Sequence, residues 1–204
     1  MPLQNRVTPF GEIVAVEGRG LLMGNRGILH DDNRRIVRYA QGRRWIACLT
    51  SFRGRRRTIM RPGSYTELFF LDEAVALAAG HRPCAGCRRD DYRRFSAAWA
   101  SCDRHRGTSA DAIDRVIHGD RVAGPRSKRT YDEDIGRLPE GAFIKVRDRA
   151  WLVLQDSIIA WSATGYTDRQ DRPGGTVTVL TPRSIVDVIG AGYRPTLHPS
   201  AGQR

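Results

Sequence analysis

Apolar residues are distributed in two textures along the 204-residue chain. In the amino half they come in short bursts between glycine- and arginine-rich stretches. From Leu138 onward they recur in short runs broken by polar turns. Weak alternation over 11–16 predicts a strand, and the Gly/Arg-rich stretch 18–27 predicts a loop. Trp45, Ile46, Cys48, Leu49 and Phe52 make 43–52 a strand, and 66–71 reads as a buried one. Asp72 stands where an N-cap would, ahead of a helix over 73–79 that Gly80 can close in the left-handed conformation. Tyr92, Phe95 and Trp99 lie near helical spacing within 90–100 and predict a core-facing stripe. Thr108 with Asp111 resembles a capping box before a third helix carrying Ile113, Val116 and Ile117. The polar, basic segment 119–130 and the segment 168–175 predict loops. Strands are predicted over 142–146, 151–154, 157–161 and 176–180. Pro182 suits the first turn of a short helix reaching 189, and the tail after it reads as irregular. The expectation is an α+β fold. Residues 1–107 would carry short helices, and residues 108–204 a helix and then mostly β structure, the two sharing one core.

Charge changes this picture. Lys and Arg number 34 against 22 acids, giving a net charge of +12 and a sequence pI near 10.5. Almost all the positive charge is arginine, whose planar fork suits phosphates and guanine edges. A GC-rich genome would favour Arg over Lys, but would not create the net excess. From 41 to 66 no acidic residue interrupts a basic run holding Arg43, Arg44, Arg53, Arg55, Arg56, Arg57 and Arg61. A solvated face is the plain reading. A phosphate-contacting arm is favoured, because aromatic residues and a thiol motif lie beside it. DNA is the expected partner, with RNA as an alternative.

The thiol motif is Ala79-Gly80-His81-Arg82-Pro83-Cys84-Ala85-Gly86-Cys87-Arg88-Arg89. A Cys-x-x-Cys turn points two sulfurs to one side and can grip one metal ion. Arg82, Arg88 and Arg89 would extend the basic face around it. The other cysteines are Cys48 and Cys102. Residues 1–10 lack an apolar core segment and no run approaches transmembrane length. A cytoplasmic, reducing setting is therefore expected, with metal binding rather than disulfides and no membrane partner. Two ligand pairs compete to complete a tetrahedral site. One is local, Cys102 with His105, giving Cys-x2-Cys-x14-Cys-x2-His. The other comes from upstream.

The upstream pair rests on a resemblance. The segment from Phe70 to Cys87, a short helix leading into a Gly-His-Arg-Pro-Cys-x-x-Cys turn, is similar to the end of the Ada-type metal-binding domain. Met23-Gly24-Asn25-Arg26-Gly27-Ile28-Leu29-His30 is a weaker echo of the Gly-Asn turn that precedes an early His ligand in some Ada-like modules. The resemblance implies His30 and Cys48, with Cys84 and Cys87, as the four ligands of a zinc ion, and this set is favoured. With every position filled by protein, the zinc would be structural and would stabilise the amino half. The family's methyl-accepting cysteine belongs to an early paired-Cys motif that this chain lacks.

Candidate chemistry lies on the third helix and just after it. Asp114 and His118 are spaced i, i+4, so a carboxylate and an imidazole would face the same way. Asp120 follows, among Asp111, Arg115 and Arg121. With an Ada-like turn and a carboxyl β region, this helix resembles bacterial proteins among which small DNA glycosylases of repair or phage defence are one expectation. Base excision on Asp114, His118 and Asp120 is thus the favoured activity, with Trp151, Trp161, Tyr166 or Tyr193 as stacking faces. A non-enzymatic DNA-binding or regulatory protein and a metal-dependent nuclease are the alternatives. Surface ion pairing is the plain reading of the same acids. No P-loop and no Gly-x-Ser-x-Gly elbow occurs, so no nucleotide cofactor is expected.

Overall fold

The structure is a computed structural model, and it describes residues 1–54, 58–103, 107–124 and 126–202. Strands β1 (Arg6–Val7), β2 (Ile13–Val14), β3 (Leu22–Asn25), β4 (Ile46–Leu49) and β5 (Leu68–Phe70) are followed by helix α1 (Glu73–Ala78) and strand β6 (Arg82–Pro83). These six strands form one sheet in the order β2-β1-β5-β3-β4-β6. Pro83 sits on the edge strand, where its missing N–H costs no ladder bond.

The stretch 18–27, expected to be a loop, instead supplies the strand between β5 and β4. Its glycines hid it. A Cβ on Gly24 would lie 2.1 Å from the Ile46 carbonyl oxygen and 2.9 Å from the Phe70 ring, so the neighbouring chain needs the bare backbone. Register then sorts the two faces. Leu22 lies opposite Leu49 and Phe70, and Met23 opposite Cys48 and Phe69. One face presents Leu22, Ala47, Leu68 and Phe70 to the core, beneath α1, which is buried along its whole length. The other presents Met23, Asn25, Ile46, Cys48 and Phe69 to the cleft described below.

After β6 come α2 (Arg89–Ala100), α3 (Ala110–Arg121) and a small hairpin of β7 (Val122–Gly124) and β8 (Ser127–Lys128), lying where 119–130 was expected to be loop. The N-cap of α3 is Ser109, whose side chain accepts from the Ala112 N–H, one residue beyond the expected Thr108. Strands β9 (Tyr131–Asp134), β10 (Phe143–Val146), β11 (Arg149–Val153), β12 (Ser157–Ser162), β13 (Gly165–Asp171) and β14 (Thr176–Val179) make a second six-stranded sheet, antiparallel throughout, and α4 (Arg183–Gly190) follows. β13 takes in part of the expected loop 168–175. It is an edge strand, and its polar residues from Thr167 on are exposed, so it carries no apolar pattern. The α+β class is as expected.

Three packing groups hold the molecule together. The largest joins Leu22, Phe70 and Val75 to Phe143, Leu152 and Ile159, so both sheets share one core. Phe95 and Trp99 of α2, Ile113 and Ile117 of α3, and Ile185 and Val188 of α4 form a second. The tail is not loose. Asp72 caps α1 through Val75 N at 2.9 Å, and its other oxygen accepts from Tyr166 Oη at 2.7 Å and His198 N at 3.0 Å. Glu73 accepts from Tyr193 Oη at 2.5 Å and Thr196 N at 3.0 Å.

Asp120 also has a structural task. Pro182, the N-cap of α4, has no side-chain donor or acceptor, and Asp120 Oδ2 instead accepts from Ser184 N at 2.9 Å. Asp120→Ala is therefore expected to cost about 1 kcal/mol, as loss of an N-cap does, and to lower the melting midpoint by about 2–4 °C. A urea titration measures this. An unchanged midpoint would show that water replaces the carboxylate.

Candidate metal centre and cleft

β4 and β6 run parallel, with Ala47 beside Pro83, and the Cys84 N–H donates to Ala47 O at 2.9 Å. This pairing sets Cys48 next to Cys84. The chain then turns, with Arg88 N bonded to Cys84 O at 3.0 Å, and returns Cys87 so that Leu49 N donates to its Sγ at 3.4 Å. The sulfurs of Cys48, Cys84 and Cys87 all lie within 4.8 Å of one another, and three such sulfurs can hold a metal ion. The Cys48 thiol donates to Cys84, which pushes Cys84 well below the ordinary thiol range and Cys48 well above it, with burial adding to the rise. Burial also raises Cys87. A soft sulfur donor set of this kind favours zinc, copper(I) or iron over magnesium or calcium.

The expected fourth ligand is elsewhere. Among the described residues only these three cysteines form such a group, and His30 is not in it. The His30 ring is buried, with Nδ1 2.6 Å from Thr66 Oγ1 and Nε2 3.2 Å from Arg61 O, so it braces the turn at 61–66. His81 is fully buried too. Its Nε2 accepts from Arg26 Nε at 3.4 Å, and its ring packs on Trp45 and Phe70. Cys102 lies past the far end of α2, whose 12 residues span roughly 18 Å, and its Sγ donates to Ala98 O. His105 falls outside the described residues.

The three cysteines line an open cleft of about 930 Å³. Its floor is the sheet face bearing Met23, Asn25, Ile46 and Phe69, and Phe52, Ile59 and Tyr65 wall it. Glu67 Oε2 accepts from the N–H of Met60, a buried residue in left-handed conformation (φ 53°), and so pins that wall. No family model, curated protein or solved structure matches this chain. The site therefore rests on its own geometry.

The arginines divide into two groups. Arg43, Arg44, Arg53, Arg61 and Arg89 are exposed, and Arg53 lines the cleft with its guanidinium 5.2 Å from the Phe52 ring centre. Arg55, Arg56 and Arg57 fall outside the described residues. Arg82 and Arg88, expected on the basic rim, are buried instead. Arg82 forms a two-pronged pair with Asp114, both bonds 2.8 Å, and Arg88 pairs with Glu73 at 2.8 Å and Asp91 at 2.7 Å. Asp114 and Glu73, distant along the chain, draw them inward, which spacing does not reveal.

The same pairing separates the expected catalytic trio. Both Asp114 oxygens serve Arg82, which turns the carboxylate to a structural pairing. His118 instead has Nδ1 3.3 Å from Arg121 Nη2, and partial burial with the Arg121 and Arg43 charges lowers its proton affinity. Asp120 caps α4. Trp151 and Tyr166, expected as stacking faces, are buried in the core, as is Tyr193. The aromatic residues that line the cleft beside the cysteines are Phe52, Tyr65 and Phe69. For Phe69 the signal was its period-2 relation to buried Leu68 and Phe70, which gives a strand within 66–71 two faces rather than one.

Proposed function

We propose that this is a zinc-containing nucleic-acid-binding protein that grips DNA with segment 43–61 beside the thiolate centre, in a reducing compartment where the thiols stay available to metal. One observation carries the reading: the segment with the arginine run is also the segment that lines the cleft ending in the three sulfurs. Phosphates on the exposed arginines would then place bases over aromatic walls. Zinc suits the donor set, and in this reading it fastens β4 to the β6 turn. Among the described residues no helix is long and apolar enough to cross a membrane. Base excision is the weaker reading, since Asp114 and Asp120 are held in structural bonds.

The test is retention of duplex and single-stranded oligonucleotides as salt is varied. Log affinity should fall linearly with log salt, and the double change Arg44→Glu, Arg53→Glu should flatten the slope by about 2, at roughly 0.9 per phosphate contact on duplex DNA. Salt-insensitive retention, or none, ends the proposal. Alkali treatment of the recovered strands discriminates further: alkali-dependent breaks would restore base excision, on residues other than this trio.

A further inference from the structure

We infer that the thiolate centre keeps one coordination position open to the cleft, and that a donor atom of a nucleobase takes it. This rests on the nucleic-acid reading above. Three sulfurs leave a tetrahedral metal one position short, and the described residues offer no His, Cys, Asp or Glu to fill it. The carboxylate in the cleft lining, Glu67, is outside the cysteine group, and its Oε2 accepts from Met60 N. A centre closed by protein is a structural peg. One left open toward a cleft can bind a ligand.

The cleft argues for the ligand's chemistry. All three cysteines belong to its lining, so a molecule seated there lies beside the metal. Its walls are aromatic and aliphatic: Phe52, Tyr65, Phe69 and Ile59 offer flat and apolar faces that suit a planar ring. Cations sit beside these walls, with Arg53 over the Phe52 ring and Arg6 Cζ 5.0 Å from the Phe69 ring centre. The metal end has the opposite sign. Three thiolates outweigh a divalent ion by one charge, so the centre repels phosphate and accepts a neutral nitrogen donor. Phosphate is thus kept at the arginine rim and the ring is directed to the metal. The volume, about 930 Å³, lies within the range of ligand clefts.

Cobalt(II) makes the position visible, because its d–d bands report the donor set. The full-length protein, loaded with cobalt, is titrated with a short single-stranded oligonucleotide, and separately with imidazole as a generic nitrogen donor. Band shifts that saturate with both are expected. Phe52→Ala should keep the cobalt spectrum while binding the oligonucleotide about fivefold to a hundredfold more weakly. Bands that move with imidazole but not with oligonucleotide overturn the nucleobase as ligand. Bands that move with neither overturn the open position. In both cases the salt-dependent retention described above tests nucleic-acid binding independently.

Discussion

Replacing Cys84 with serine is expected to abolish stoichiometric metal uptake. Cys84 is the sulfur on which the others converge, accepting a hydrogen bond from the Cys48 thiol and opening the turn that returns Cys87. Without it Cys48 and Cys87 remain as two buried or half-buried thiols, too few for a stable site. His30→Ala should leave uptake unchanged, because its ring serves Thr66 and the Arg61 carbonyl. Elemental analysis of the purified variants reads both. Metal loss in the His30 variant with retention in Cys48→Ser would reverse the assignment. Uptake must displace the Cys48 proton, so affinity rises with pH. The stability effect is large. Metal binding lends structural zinc domains about 10–16 kcal/mol of apparent free energy. Even about 4 kcal/mol here would shift the melting midpoint by about 8–16 °C. A melt insensitive to a strong chelator, on protein shown to be metal-free, would contradict this.

Asp114→Ala should be the most damaging change outside the metal centre. The Arg82–Asp114 pair is almost fully enclosed, with side chains 4% and 5% exposed. Removing the carboxylate strands a buried guanidinium, at a cost of about 3–5 kcal/mol. The damage should reach the metal, since Arg82 is the first residue of β6, two before Cys84, and its Nη1 also donates to Pro83 O at 3.1 Å. Reduced metal occupancy should therefore accompany the loss in urea stability. The double change Arg82→Met, Asp114→Leu should recover much of the stability, because an apolar pair of similar size avoids the desolvation penalty. A single variant as stable as the parent would show that Arg82 reaches water when unpaired.

Local signals in the sequence were faithful where chemistry is local. Cys84 and Cys87 declare themselves by spacing, Asp72 by its position before an apolar run, and the α2 stripe by Phe95 and Trp99. Cys48 needed more than spacing, and the parallel pairing of β4 with β6 is what brings it in. His30 misled because the Ada-like echo over 23–30 implies a ligand there, whereas the ring is held by the hydroxyl of Thr66. Arg82 and Arg88 misled for the converse reason. Their partners, Asp114 and Glu73, lie 32 and 15 positions away, and only folding brings the charges together. The strand around Gly24 was hidden by the residue that lets it pack.

The carboxylates at the start of α1 have a consequence for how the chain is made. Asp72 waits for His198, 126 positions later, and Glu73 for Thr196, 123 positions later. At about 5–20 residues per second a ribosome needs roughly 6–25 s to deliver those partners. For that interval two acids destined for the interior have no tail to meet them. The nascent amino half can draft its sheet, but its centre is sealed only once Tyr193, Thr196 and His198 have emerged.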